Sequence, residues 1–308
     1  MESILEGLPR ASPVAILRLR SLGDCVLTTP ALDILKRARC DLRLAVMVED
    51  RFRAIFEGNP DVDEILPPDL DALRRLRPRL CLNLHGGTRS AWLTMLSGAR
   101  RRAGFGHFRH RWAYNVRIPR AQEILGVERK VHTAEHVASA MFYLGAPRCE
   151  IPRARLTATS DAGETACATN ASHAVLHPFA SAPDKTWRAD GFLAVAEHLR
   201  QSGTDPVFVG GTGDDLSPFR AFRTVSGAPL AQIKQLLSTA SVFVGNDSGP
   251  AHMAAAFGLP VVAIFGASDP AIWGPWRTAS EIVSAPGGIA RVETGQVVEA
   301  LTRLRVPA

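Results

Sequence analysis

The chain has 308 residues, of which 46% are hydrophobic and 21% are charged, and its formal net charge is +6. This length and hydrophobic content provide a large core and usually mean two domains rather than one. No run approaches the roughly 20 apolar residues of a spanning helix and no basic-then-apolar leader is present, so we predict a cytoplasmic protein. Five scattered cysteines, none in a CxxC pair, argue against a disulfide framework or a zinc knuckle.

Strands, polar turns and helices alternate through the first half of the chain. Apolar runs predict strands at residues 14–19, 42–48, 61–66 and 80–84. Apolar residues at helical spacing predict helices at 26–35, 51–56, 71–77, 90–96 and 132–144. Pro30 must either kink its helix or mark the true start of that helix. The alternation is typical of a doubly wound α/β domain whose polar turns share one edge of the sheet.

A change of composition separates the two halves. Residues 153–172 are rich in Ala and Thr, and we predict the boundary there, with domains at 1–160 and 161–308. Beyond it, strands are predicted at 174–177, 206–209, 242–245 and 261–265. Helices are predicted at 191–201, 230–238, 250–257 and 292–304. The pattern therefore predicts two Rossmann-like, doubly wound domains that face each other across a cleft.

The loop after the predicted strand 242–245 carries the most informative polar residues, Asn246, Asp247, Ser248 and Gly249. It lies at the carboxyl end of a strand, where open α/β sheets bind ligands, and free amides at the start of the next helix favour an anion. His252, in the first turn of that helix, can add a donor to a phosphate. The same residues also fit an ordinary turn with an N-cap, so this loop alone leaves both interpretations open.

Two other strand-end loops of the second half offer groups for a phosphorylated ligand. Ser181 and Lys185 follow one strand, and Asp214 and Asp215 follow another. A lysine is a flexible point charge suited to a diphosphate, and a carboxylate can accept ribose hydroxyls. Read separately, the lysine fits a surface position and the aspartates fit a turn. Neither GxGxxG nor GxxxxGK[ST] occurs, so dinucleotide hydride transfer and P-loop phosphoryl transfer lack their usual motifs.

The first half offers one candidate base and one strongly basic segment. Asp24 follows Gly23 after a predicted strand and could accept a proton from a hydroxyl, although it would also serve as an N-cap. Residues 100–130 contain nine basic side chains and only two acidic ones, Glu123 and Glu128. Such an excess attracts anions. A specific anionic ligand, a membrane surface and a merely solvated face all remain open for this segment.

These residues, in this order, closely resemble glycosyltransferase family 9, the bacterial lipopolysaccharide heptosyltransferases, along nearly the whole chain. The similar segments are LRLRSLGD at 17–24 with TPAL at 29–32, HPFASAPDKTW at 177–187, GNDSGPAH at 245–252 and DPAIWGP at 269–275. The chain departs from the family at Phe179, where glycine is common. It departs again at the pair Asp214 and Asp215, where a glutamate is often seen, so the choice of nucleotide stays open.

The resemblance implies a GT-B fold and an inverting transfer that uses no metal ion or other cofactor. It implies an ADP-heptose donor on the C-terminal domain and an anionic inner-core lipopolysaccharide acceptor on the N-terminal one. Asp24 would be the general base and Lys185 would stabilise the departing ADP. We assign the donor site to Ser181, Lys185, Asp214, Asp215, Asp247, Ser248, Gly249 and His252. We assign the acceptor site to Ser21, Gly23, His85, Arg89, Arg101 and Arg102. Peripheral contact with the inner membrane surface is expected, and a nucleic-acid partner is not.

Three alternatives accompany this interpretation. The protein could use another nucleotide sugar, or it could bind a sugar nucleotide without catalysis. The third alternative is a zinc peptidase, because HTAEH at residues 132–136 fits H-x-x-E-H, with His132 and His136 one helical turn apart around Glu135. No further zinc ligand is evident. The sequence leaves open which core sugar is the acceptor and what the oligomeric state is.

Overall fold

The computed structural model describes residues 3–158 and 172–304 of the chain. The chain divides into two compact units, Met1–Arg155 and Leu156–Ala308. Each unit contains one six-stranded sheet in which all paired strands are parallel. The predicted border between residues 160 and 161 lies outside the described residues.

The first unit alternates strands and helices. Its strands are β1 (Pro13–Leu17), β2 (Arg43–Met47), β3 (Glu64–Leu66), β4 (Leu80–Asn83), β5 (Arg101–Phe105) and β6 (Val116–Ile118). Its helices are α1 (Leu22–Val26), α2 (Thr29–Ala38), α3 (Leu70–Leu76), α4 (Thr88–Leu96), α5 (Ala121–Leu125) and α6 (Thr133–Leu144). The strand order is β3-β2-β1-β4-β5-β6. Residues of β1 and β4 are almost completely buried, as expected where helices cover both faces of a parallel sheet.

The structure corrects the prediction for the first unit in two places. Residues 20–24 were predicted as a polar turn, but residues 22–26 form α1, so Asp24 lies inside a short helix. Strands β5 and β6 lie within the basic segment 100–130, where arginines interrupt the apolar pattern, and they were not predicted. Pro30 occupies the first turn of α2 and therefore marks the start of that helix rather than a kink.

The second unit repeats the same plan. Its strands are β7 (His173–His177), β8 (Asp205–Gly210), β9 (Arg223–Ser226), β10 (Val242–Asn246), β11 (Val261–Ile264) and β12 (Ser280–Val283). Its helices are α7 (Ala189–Gln201), α8 (Leu230–Ser238), α9 (Gly249–Phe257), α10 (Pro270–Trp273) and α11 (Thr294–Arg303). The order is β12-β11-β10-β7-β8-β9. The edge strands β9 and β12 are short and only partly buried, and they were not predicted.

The topology decides where polar loops meet. When the six strands of each unit are numbered 1 to 6 along the chain, both sheets have the Rossmann order 3-2-1-4-5-6. The chain adds strands outward on one side of strand 1 and then on the other, so the order reverses between strands 1 and 4. In open α/β sheets, ligands bind outside the carboxyl ends of the strands at this switch point. The loops after β1 and β4 meet there in the first unit, and the loops after β7 and β10 meet there in the second. Over residues 3–158 and 172–304, no helix is long and apolar enough to cross a membrane.

Candidate functional site

The turn between β1 and α1 places Asp24 at the switch point of the first sheet. Ser21, at the N-cap of α1, has φ of +74°, and its side chain makes no capping hydrogen bond. A residue other than glycine is strained at positive φ, and such strain is concentrated at functional sites. Gly23 is buried in the first turn of the helix, directly before Asp24. The strained turn therefore brings the predicted base to the carboxyl edge of the sheet.

Arg18, directly after β1, holds the predicted base. Its side chain is 7% exposed, and Nη1 lies 3.7 Å from Oδ1 of Asp24, whose side chain is 23% exposed. Nε of Arg18 donates to Oγ1 of Thr28 at 3.1 Å, and that hydroxyl donates to the Asp24 carbonyl oxygen at 2.7 Å. The carboxylate is thus oriented by a buried cation and remains accessible to solvent. The sequence analysis did not assign Arg18 to the site. Its position as a basic residue directly after a predicted buried strand could have indicated this role.

The loop after β4 brings His85 to the same switch point. Oδ1 of the buried Asn83 accepts hydrogen bonds from the amides of His85 at 3.0 Å and Gly86 at 2.9 Å, which fixes the loop. Burial lowers the pKa of His85, and the charges of Arg18 and Arg20 lower it further. The imidazole therefore lies within the electrostatic field of the Arg18–Asp24 pair and is held in its neutral form.

The three arginines assigned to the acceptor site do not lie together. Arg89, in the first turn of α4, is exposed and donates to the carbonyl oxygen of Pro68 at 2.6 Å. Arg101 and Arg102 open β5, and Arg101 pairs with Leu80, the first residue of β4. They therefore lie at the amino end of the parallel strands, opposite the switch-point edge. The assignment of Arg101 and Arg102 to the acceptor site therefore stays a prediction that their position on β5 does not support, because residue order alone did not show where the ends of β5 lie.

Helix α6 supplies a residue that the sequence reading did not assign to the acceptor site. The ring of His136 stacks on Phe105 with centroids 4.0 Å apart, and His107 lies 5.3 Å away. Burial, followed by the charges of His107 and Arg18, lowers the pKa of His136 to about 4. A neutral imidazole thus lies within electrostatic range of the Arg18–Asp24 pair. Only the tertiary structure shows this relation, because His136 follows Asp24 by more than a hundred residues along the chain.

The zinc-peptidase alternative is not supported by the geometry of residues 132–136. His132 is the N-cap of α6, and its Nδ1 accepts from the amide of Ala134 at 3.1 Å. Glu135 accepts from the amide of His132 at 3.0 Å and forms an ion pair with Arg129 at 2.6 Å. Throughout the described part of the chain, no group of three or more His, Cys, Asp or Glu side chains is placed to hold a metal ion. The HxxEH pattern is a capping box rather than a ligand set.

In the second unit, Asn246 at the end of β10 positions the loop that carries Lys185. The side chain is completely buried; its Oδ1 accepts from the amide of Trp187 at 3.0 Å and its Nδ2 donates to the carbonyl oxygen of Pro178 at 2.9 Å. Trp187 is itself buried, and its indole nitrogen donates to the carbonyl oxygen of Val292 at 2.9 Å. One amide side chain therefore ties both ends of the loop 178–187 to the switch point.

We expect Asn246→Ala to lower the free energy of unfolding, by about 1–3 kcal/mol for each buried group left without its partner. The matched control is Asn115→Ala. Asn115 makes the same kind of paired contact, to the amide of Arg102 at 2.7 Å and the carbonyl oxygen of Arg100 at 2.9 Å, but it is exposed and water can replace it. Urea unfolding of both variants measures the difference. Equal losses would contradict the role of burial at Asn246.

Lys185 and Asp247 form an ion pair at the second switch point. Nζ of Lys185 lies 3.2 Å from Oδ2 of Asp247, and the two side chains are 30% and 8% exposed. Lys185 ends a short 3₁₀ helix, Pro183–Lys185, and Asp247 directly follows β10. A partly exposed ammonium group on a flexible stem can be shared with an entering anion, whereas the buried carboxylate keeps it in place.

The start of α9 lies beside this pair. Ser248 is the N-cap of α9, but its hydroxyl makes no capping bond and lies 3.2 Å from Nδ1 of His177, so the first amides of the helix receive no side-chain cap from it. Burial lowers the pKa of His177 to about 4, so this histidine is neutral. Gly249 is the first residue of α9, and His252 lies in its first turn and is buried. Uncapped amides at a helix start favour an anion.

A pocket of about 590 Å³ lies against the loop 178–187. Its lining includes Phe179, Ser181, Asp215 and Phe219. The aromatic side chain of Phe179 fits because residue 210 is glycine: a Cβ there would lie 2.9 Å from the Phe179 ring. Glycine at 210 thus accommodates the departure from the family pattern at Phe179, and the pocket keeps an aromatic wall.

The two aspartates after β8 are placed differently from one another. Oδ2 of Asp214 accepts from the amide of Gly211 at 2.7 Å, and Oδ1 of Asp215 accepts from the amide of Ser217 at 2.9 Å. The Ser217 hydrogen bonds lower the pKa of the exposed Asp215 carboxyl, which therefore stays ionised. Asp215 borders the pocket. Asp214 instead lies near enough to His177 for its charge to act on that ring.

Comparisons with known proteins identify the family and the fold of this chain. The model of glycosyltransferase family 9 (heptosyltransferase) matches residues 71–297, which include Lys185 and the start of α9 and begin after Asp24. Lipopolysaccharide heptosyltransferase 3 of Escherichia coli strain K12 is 26% identical over 292 residues, which cover 84% of this chain and 83% of that protein.

Two solved structures share the fold. The family 9 glycosyl transferase from Veillonella parvula DSM 2008 has a TM-score of 0.82 at 19% identity, covering 96% of this chain and 97% of that one. The E. coli ADP-heptose lps heptosyltransferase II has a TM-score of 0.80 at 19% identity, covering 95% and 98%. The predicted α/β fold class with two doubly wound domains, the GT-B class, is therefore confirmed. Because the family model matches more than half of the chain, this protein is a glycosyltransferase that belongs to family 9.

Proposed function

We propose that this protein transfers a heptose from ADP-heptose to an inner-core lipopolysaccharide acceptor, with inversion at the anomeric carbon. The observation that carries the proposal is that each of the two sheets has a predicted reactive group at its switch point, Asp24 in the first and Lys185 in the second. The names of the relatives support the substrates, since one is a lipopolysaccharide heptosyltransferase and one is an ADP-heptose enzyme.

In the proposed reaction, the acceptor hydroxyl oxygen attacks the anomeric carbon of the heptose and the bond from that carbon to the diphosphate oxygen breaks. Asp24 takes the hydroxyl proton, and the bonding pair leaves with ADP. A positioned base contributes typically 10²–10⁴-fold to such a step. Arg18 is a positioning residue here, since it contacts the carboxylate rather than the sugar.

The departing diphosphate gains negative charge, which Lys185 and the first amides of α9 stabilise. These groups are already in place before the donor arrives, so little reorganisation is needed during transfer. Their positive charge stabilises the departing diphosphate as a divalent cation would. The proposed mechanism therefore needs no metal ion. The pocket beside Ser181 and Asp215 receives the nucleoside, with Asp215 accepting a ribose hydroxyl.

The acceptor is anionic and carried on a lipid, and we place the enzyme at the cytoplasmic face of the inner membrane. Arg18, Arg20 and His85 give the first switch point a positive and hydrogen-bonding character that suits acidic sugars. No nucleic acid takes part in this function.

A melting-temperature screen with ADP, UDP and GDP tests the donor. We expect ADP to stabilise the protein, because a ligand at about 100 times its Kd adds about 2.7 kcal/mol to the free energy of unfolding. Preference for UDP would identify a transferase that uses another nucleotide sugar. Stabilisation by ADP without ADP release from ADP-heptose, in the presence of lipopolysaccharide-core acceptors, would instead identify a non-catalytic binding protein.

A further inference from the structure

The first unit exposes a cluster of large apolar side chains that the proposed function does not use. Trp92 and Leu96 lie four residues apart on α4 and so share one face of the helix. Trp112 lies in the neighbouring 3₁₀ helix Arg111–Ala113, and its ring centroid is 5.3 Å from that of Trp92. Trp92 and Trp112 are both 49% exposed, and Leu96 is 42% exposed. We call these three side chains the tryptophan patch.

The tryptophan patch lies on a segment that is held by hydrogen bonding and packing. Nε2 of His110 lies 2.9 Å from Oγ1 of Thr88 at the start of α4, and Ala113 and Tyr114 are buried against Ala91 on the same helix. The indole of Trp112 is thus held at the surface by a packed segment. Among the described residues, four large hydrophobic side chains are strongly exposed, and three of them form this patch. A concentration of this kind marks an interaction surface more often than scattered exposure does.

Exposed arginines lie close to the tryptophan patch along the chain. Arg100, Arg109 and Arg111 lie within four residues of its members along the chain and are exposed. Nowhere in residues 3–158 and 172–304 do these three arginines find an ion-pair partner, whereas Arg129 is paired with Glu135. The sequence explains the difference, because it has no acidic residue between Asp71 and Glu123.

We propose that the tryptophan patch docks on the surface of an anionic lipid bilayer. Indole rings favour the membrane–water interface, and clustered arginines are attracted to anionic headgroups. Stable peripheral binding usually needs two such signals, and both are present here. A nucleic acid would also be drawn by the arginines, but the aliphatic Leu96 and the edge-to-face contact between the two indoles suit insertion among lipids better than stacking on bases.

The position of the tryptophan patch links docking on the bilayer to the proposed function. This link rests on that proposed function. Helix α4 begins at Thr88, three residues after His85 of the first switch point. A protein docked through α4 has the start of that helix, and so the proposed acceptor site, close to the bilayer that holds a lipid-linked acceptor. Binding to the bilayer itself needs no transfer activity.

Vesicle co-sedimentation tests the proposal. We expect the protein to sediment with equimolar phosphatidylcholine and phosphatidylglycerol vesicles much more strongly than with pure phosphatidylcholine. We expect vesicle binding to weaken by about tenfold or more in each of two double variants, Trp92→Ala/Trp112→Ala and Arg109→Gln/Arg111→Gln. For the arginine variant the reason is that each basic side chain near an anionic surface raises the affinity several-fold. The matched controls, Ile282→Ser and Arg220→Gln/Arg291→Gln, change exposed residues of the second unit and should bind as the parent does.

Three results would overturn the proposal. The first is equal sedimentation of parent and patch variants, and the second is stronger binding to single-stranded RNA than to the mixed vesicles. The third is a self-associated parent that the tryptophan variant turns into a monomer while vesicle binding stays unchanged. All variants should keep the parent's melting temperature within about 2 °C and its rate with a water-soluble acceptor, because surface substitutions have small effects on stability. Loss of vesicle binding with the transfer rate intact separates this proposal from the proposed function.

Discussion

Replacing Asp24 by asparagine is expected to lower kcat by about 10²–10⁴-fold while leaving ADP affinity unchanged. The amide has almost the same shape as the carboxylate but cannot take the hydroxyl proton. Arg18 keeps its hydrogen bond to Thr28 in this variant, so the buried guanidinium retains a partner and the fold should persist. Release of ADP in the presence of acceptor, measured over a range of acceptor concentrations, gives kcat, and titration calorimetry gives ADP affinity.

The control for Asp24→Asn is Asp63→Asn in the same unit. Asp63 also forms an ion pair, with Lys36 at 2.7 Å, but it precedes β3 and therefore lies at the amino end of that strand. This variant should keep kcat within about twofold, as expected for a surface ion pair of small energetic value. Two outcomes would contradict the assignment of the base: an Asp24→Asn enzyme with a rate near that of the parent, or one that has also lost ADP binding.

Replacing Lys185 by glutamine is expected to lower kcat/KM by about 10²–10³-fold, the usual loss when one stabilising group is removed from a developing negative charge. Lys185→Arg should recover part of the activity, because it restores the charge with a different shape. ADP release over a range of donor concentrations, followed with saturating acceptor, separates the effect on kcat from the effect on KM.

The ion pair with Asp247 allows the catalytic and structural roles of Lys185 to be separated. Lys185→Gln leaves a carboxylate that is only 8% exposed without its cation, so it should also lower the melting temperature. In the double variant Lys185→Gln/Asp247→Asn, both charges are removed, and thermal stability should return toward that of the parent while activity stays low. If the double variant regained activity as well as stability, Lys185 would be a structural residue and the donor assignment would fail.

The local order of residues was enough to identify most of the elements near the site. The apolar run of β10, the prolines at 250 and 260 and Gly258 predicted the strand and helix around Ser248, and α9 ends at Gly258 with φ of +80°. Helix α8 has the predicted bounds. These predictions succeeded because they depend on backbone preferences that act over a few residues.

Elements with a weak local pattern were missed or misread. The edge strand β9 alternates partly buried with exposed residues, and the edge strand β12 buries only Val283. Arginines hide the apolar pattern of β5 and β6. Helix α1 has only five residues and begins at the strained Ser21, so no sequence period could reveal it. Each of these segments is held by packing against distant parts of the chain rather than by its own preferences.

The sequence by itself determined the family motifs, the succession of strands and helices, and the chemical types at the loops: a carboxylate in the first unit, a lysine and a helix start in the second. Only the tertiary structure decided which of these side chains meet. It paired Arg18 with Asp24, attached the loop of Lys185 to the end of β10 through Asn246, and placed His136 within electrostatic range of the base. It also put Arg101 and Arg102 at the amino edge of the sheet. The physical reason is that a parallel sheet gathers the carboxyl ends of strands far apart in sequence, and strand direction and order exist only once the sheet has formed.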